Sequence, residues 1–475
     1  MNNYNRNSRV SRRRLHQMIA IGVVTLVILI ALIIIFVFGS KPANSTGKGT
    51  EDSETESQLS PEELLALQRA EMLANADALA VTYDYDGAIA LIQGWEGYAE
   101  DEELTNKLAG YEAQKAACVR VDISQVTHIF YHSLVVDPER CFNPNDFQGR
   151  GNYEWMTTIS EFNKITQEMY DRGYVLVSIH DLYKYVTDEN GNQVMVENDI
   201  YLPEGKKAFV LSLDDLSYYH SYDNYGYAAK LIIDENGDVI NEYIDAEGNV
   251  HYGLYDCVPL LDKFIEEHPD ASYKGAKGII ALTGYNGILG YRTDESYNLN
   301  TPDLDRNKRK WLEANPDFDL EAERAAAKEV ADAMKANGWT FASHTWGHLN
   351  VGSKPLSTLK ADNERWQKNV ASLVGETNVI IFAHGTDLEK WGDYSSSNEK
   401  FNYYYSQGFN VFCNVDGSSE YLVHFGPNYL RQGRRNLDGI RFHYNISGQQ
   451  NNLSDLFDVN EIIDPERPAY EEFLN

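Results

Sequence analysis

The chain has 475 residues, 43% of them hydrophobic, which is enough to bury a sizeable core and too apolar for a disordered protein. With 72 acidic against 41 basic residues the formal charge is -31, and no basic stripe stands outside the first 14 residues, so nucleic acid is excluded as a partner. Four cysteines (Cys118, Cys141, Cys257, Cys413) lie far apart with no C-x-x-C pair; this argues against a zinc ribbon and leaves open either disulfides or buried free thiols.

Residues 1–16 carry Arg6, Arg9, Arg12, Arg13 and Arg14 and read as a cytoplasmic basic tail. Residues 17–39 (QMIAIGVVTLVILIALIIIFVFG) hold no charge and at helical rise would cross a hydrocarbon core of roughly 30 Å. The stretch is longer than a signal-peptide core of about 7–15 residues, and no A-x-A site follows. The positive-inside rule then predicts a single-pass cell-membrane protein with a cytoplasmic N-terminus and an extracellular remainder.

Residues 40–58 are polar and acidic, as a solvated linker is. Ser60-Pro61-Glu62-Glu63 offers an N-cap, a first-turn proline and first-turn acids, and a helical rhythm of Leu64, Leu65, Met72, Leu73, Ala76 and Leu79 follows. The words ALAVTYDYDGAIALI resemble half of a tetratricopeptide-type hairpin, but one copy is visible where solenoids need about three. Residues 59–117 are therefore expected to form a helical spacer.

From about residue 125 short apolar strands alternate with helices: strand at 127–131, helix at 158–172, strands at 175–178 and 208–213, helices at 259–267 and 320–337. That alternation predicts an α/β domain over 118–475 with mainly parallel strands. Turn-rich words at 234–238 and 245–249 predict hairpins inside an insertion at about 216–320.

Two elements could carry chemistry. The strand KKAFVLSL runs into Asp214-Asp215, which places two carboxylates at a strand's C-terminal end, where α/β folds put their sites; alone, the pair favours a helix cap. The second is Ser343-His344-Thr345-Trp346-Gly347-His348, in which histidines four apart share a face if the segment takes a helical turn. Two histidines, a carboxylate and a water make the open site of a catalytic divalent metal, for which zinc is the default.

Together these words resemble the polysaccharide deacetylases of the NodB-homology family, carbohydrate esterase family 4. FYHSL (130–134), MYDRGYVLVSIHDL (169–182) and KEVADAMKANGWTFASHTWGH look like the family too, and the likeness covers about residues 125–445. The resemblance implies a distorted (β/α) barrel, Asp214 as general base, and Asp215, His344 and His348 as metal ligands. It also implies hydrolysis of N-acetyl groups of peptidoglycan or an exopolysaccharide.

The chain departs from the family in its third and last motifs. VIIFAHGTDLEKW carries His384-Gly385 where a proline-bearing turn is expected, and Gly439-Ile440-Arg441-Phe442-His443 is only a loose candidate for the last strand. His384 and His443 are the candidate general acids. A carbohydrate-binding protein that lost turnover and an O-acetyl esterase are the competing readings. Tyr218, Tyr219, His220, Tyr222, Tyr225 and Tyr227 could stack on sugars or pack beneath the hairpins.

Overall fold

Runs such as Lys207–Asp214, apolar on both faces of a strand, can be satisfied only inside a sheet covered on both sides. In the computed structural model, which describes residues 59–298, 301, 304–389, 393–416 and 422–473, they build a parallel sheet that closes on itself. The strands are β1 (Thr127–Tyr131), β2 (Tyr174–Leu176), β3 (Lys207–Asp214), β4 (Ile279–Leu282), β5 (Thr340–Ser343), β6 (Val379–Ile381), β7 (Val411–Val415) and β8 (Leu430–Asn436). Pairing runs β1-β3-β4-β5-β6-β7-β8 and back to β1, a closed barrel of seven parallel strands. β2 lies outside the ring, on the first half of β3 (Tyr174↔Lys207 to Leu176↔Phe209).

Helices Ile159–Asp171, Cys257–Glu267 and Leu320–Ala336 flank the barrel, and their apolar faces share one core with the outward residues of the strands. Alternation then fixes the interior: Ala208, Val210, Ser212 and Asp214 of β3 point one way, as do Leu430, Gln432 and Arg434 of β8. The barrel is thus apolar at its base and polar at the C-terminal mouth.

The chain divides into two units, residues 1–64 and 65–475. Of the first only 59–64 are described, where Ser60 and Glu63 exchange capping hydrogen bonds. In the second, helices Tyr85–Gln93 and Glu102–Ala117 share a buried apolar cluster with the base of the barrel through Ala88, Ile92, Leu104 and Tyr111.

Several expectations change. Among the described residues no helix is long and apolar enough to cross a membrane, which overturns the placement of the chain as a single-pass membrane protein with an extracellular domain. The span expected over 17–39 lies outside the described residues, as do the basic tail and the linker. Gly439–Ile446 is a helix and not the last strand, because Asp438 caps it by accepting the Arg441 amide; the last strand is β8. The region read as an insertion contributes β4 to the barrel, besides a three-stranded antiparallel sheet (Ala228–Ile233, Val239–Ile244, Val250–Gly253) whose turns fall at the two predicted turn words. All four cysteines are free, three of them buried.

Candidate metal centre

β3 ends on Asp214, whose side chain continues the inward alternation, and Asp215 turns away in a left-handed conformation (φ 62). That backbone is uncommon for a residue with a Cβ, and aspartate is among the few that tolerate it. Asp215 N–H still bonds to Ala281 O of β4 at 3.1 Å, so the turn is fixed to the next strand.

His344 follows β5. Its Nδ1–H donates to Ile381 O of β6 at 2.8 Å; a carbonyl only accepts, so Nε2 is left with the free lone pair. That Nε2 stands 3.9 Å from both Asp214 and Asp215, and His348 Nε2 stands 3.5 Å from Asp215. The candidate ligand atoms of Asp215, His344 and His348 lie within 4.8 Å of one another.

The histidines converge without the expected helical turn. The segment is a tight loop with Thr345 and His348 at positive φ, pinned by Asp362, which accepts the Trp346 and Gly347 amides at 2.7 and 2.8 Å. Gly284 lets the loop after β4 pack onto it, since a Cβ there would stand 2.5 Å from the Trp346 ring. Asp362→Ala would leave two backbone donors of this turn without their acceptor. A loss of about 1–3 kcal/mol in stability is expected, read from the urea midpoint.

Asp214 is clamped by Arg434 of β8, which donates from Nη1 and Nη2 at 2.7 and 2.9 Å. Burial alone would push the Asp214 carboxyl up; the Arg434 charge, then His344, outweighs it and holds the group well below the usual carboxylate range. Asp215 is also lowered, with His348 and His344 overcoming its burial, whereas burial leaves His344 below its ordinary value. Behind Arg434 runs a buried polar chain: Ser212 Oγ at 3.1 Å, His128 2.9 Å from Ser212, and Gln432 3.2 Å from His128.

The two candidate acids fare differently. His384, in a left-handed conformation after β6, places its ring 4.4 Å from that of His348 and donates from Nε2 to His348 O at 3.0 Å. His443 lies on helix Gly439–Ile446 with its ring stacked 3.6 Å from Tyr470. Sequence reasoning missed His132 at the end of β1. Its Nδ1–H donates to Trp155 O at 3.2 Å, which leaves Nε2 free, and its charge bears on Asp214, Asp215 and the buried Asp438. The signal for it is the histidine of FYHSL, directly after β1.

Of the aromatic segment after β3, Tyr218, Tyr219, Tyr222 and Tyr227 are buried and pack as walls of the core. The donor set, two imidazole nitrogens and one carboxylate oxygen, with Ile381 O behind His344 and Tyr219 OH behind Asp215, fits a divalent metal ion and leaves a coordination position for water.

No family model matches the chain, and no curated protein does. Among solved structures, the chain is similar to the Streptococcus pyogenes deacetylase PplD in complex with acetate, at 14% identity. The match covers 67% of this chain and 93% of that one, with a TM-score of 0.30, a likeness too loose to bear on activity.

Proposed function

We propose that this chain is a metal-dependent deacetylase that removes N-acetyl groups from a polysaccharide of the peptidoglycan or exopolysaccharide kind. The observation that carries the reading is the convergence of Asp215, His344 and His348 at a barrel mouth, beside the Arg434-clamped Asp214. Asp215, His344 and His348 would hold the ion, for which zinc suits the donor set. When bound, such an ion lowers the pKa of water and polarises a carbonyl.

The chain's own residues supply the rest. Asp214, oriented by Arg434, takes the proton of the attacking water, and His132 gives one to the departing amine nitrogen from Nε2. His384, with Nε2 already engaged by His348 O, is the weaker claimant to the second role. Trp155, whose carbonyl holds His132, keeps a 49% exposed ring of the kind sugar faces stack on.

The test is acetate release and new amine formation from chito-oligosaccharides and peptidoglycan with zinc supplied. Acetate with amine supports the deacetylase; acetate without amine makes the protein an O-acetyl esterase; metal binding and glycan binding without acetate make it a binding protein. His132→Gln is expected to lower kcat by about 10²–10⁴ while zinc stoichiometry is kept.

A further inference from the structure

We infer that Tyr219 is a positioning residue for Asp215, held by a directed hydrogen-bond chain from Ser217 and Thr283, so that the Asp215 carboxylate stays turned toward His344 and His348. The inference rests on the metal centre proposed above. Tyr219 OH lies 2.6 Å from Asp215 Oδ1 and 2.5 Å from Thr283 Oγ1. A phenol has one proton and a carboxylate only accepts, so the Tyr219 proton goes to Asp215 and Thr283 must donate to the phenol oxygen. Thr283's proton is then committed, and Ser217 Oγ, 3.3 Å away, donates to Thr283.

All three side chains are buried, so no bulk water replaces a missing member. The Tyr219 ring is itself fixed, stacked on Tyr285 at 5.0 Å and 15° and edge-on to Tyr222 at 5.5 Å. Asp215 needs such a fixture, because its left-handed backbone puts it outside the regular strand that aims Asp214. The oxygen that accepts from the phenol, Oδ1, stands 3.9 Å from His344 Nε2, and Oδ2 stands 3.5 Å from His348 Nε2. The chain also ties the centre together, since the residues after Thr283 hydrogen-bond to the His motif (Gly284 and Tyr285 N–H to Trp346 O at 2.9 and 3.1 Å).

The test uses the full chain and two probe ions, zinc and cobalt, titrated against a chromophoric chelator. Tyr219→Phe keeps the stacked ring and removes only the hydroxyl. The expected result is about 10–100-fold weaker zinc binding, together with a changed cobalt absorption spectrum. Thr283→Val, which withdraws the donor to the phenol, should weaken binding by less, and Thr283→Ser should restore it. Binding of Tyr219→Phe within twofold of the parent, with an identical cobalt spectrum, would overturn the role of Tyr219. A parent protein that binds neither ion overturns the metal centre itself, and with it this inference.

Discussion

His344→Ala is expected to reduce acetate release by about four orders of magnitude or more, the scale on which removing one member of a catalytic constellation acts. The reason is positional. His344 is fully buried, its Nδ1 is spent on Ile381 O, and its Nε2 faces Asp214 and Asp215 at equal distance. His348 is half-buried and borders solvent, so His348→Ala leaves a vacancy that water fills, and a smaller loss should follow. The measurement pairs acetate release with metal content before and after treatment with a chelator. Stripped parent protein should regain activity on zinc addition and His344→Ala should not. Activity of His344→Ala within tenfold of the parent would place the chemistry elsewhere.

The words of the candidate site were legible because they are local. Asp214-Asp215 and His344-x-x-x-His348 each sit where a strand ends, and the strand is visible as an apolar run before them. The alternation of helix and strand foretold the parallel sheet, with 127–131 matching β1 residue for residue. What failed to show was everything that depends on barrel closure. Arg434 stands in Leu-Arg-Gln-Gly-Arg-Arg-Asn, a word that reads as a charged surface strand, yet the register β7–β8–β1 turns it inward onto Asp214. His132 and Tyr219 gain meaning only from neighbours distant in sequence, Trp155 and Thr283. Residues 439–443 were a candidate last strand only through a loose likeness to a family motif, and such a likeness does not separate a strand from a short helix; the Asp438 cap decides it.

Arg434→Met should cost about 3–5 kcal/mol at neutral pH, since it leaves a buried carboxylate without its partner. Arg434 is fully buried and Asp214 nearly so, which removes the solvent screening that makes exposed pairs weak. The pH dependence separates loss of the ion pair from loss of packing. In the parent the folded Asp214 carboxyl is held below its unfolded value of about 3.9. It therefore contributes stability that is present above about pH 4 and lost as pH falls through the lower folded value. Without Arg434, burial is opposed chiefly by His344 and pushes the carboxyl up; the group then destabilises the fold increasingly as pH rises through its raised value. The gap in urea midpoint between parent and variant should thus be widest near pH 8 and narrow towards pH 5. Adding Asp214→Asn to Arg434→Met should recover part of the loss, because the unpaired charge is gone. A gap constant across that pH range would assign Arg434 a packing role against Phe130, whose ring it covers at 4.1 Å, in place of the clamp.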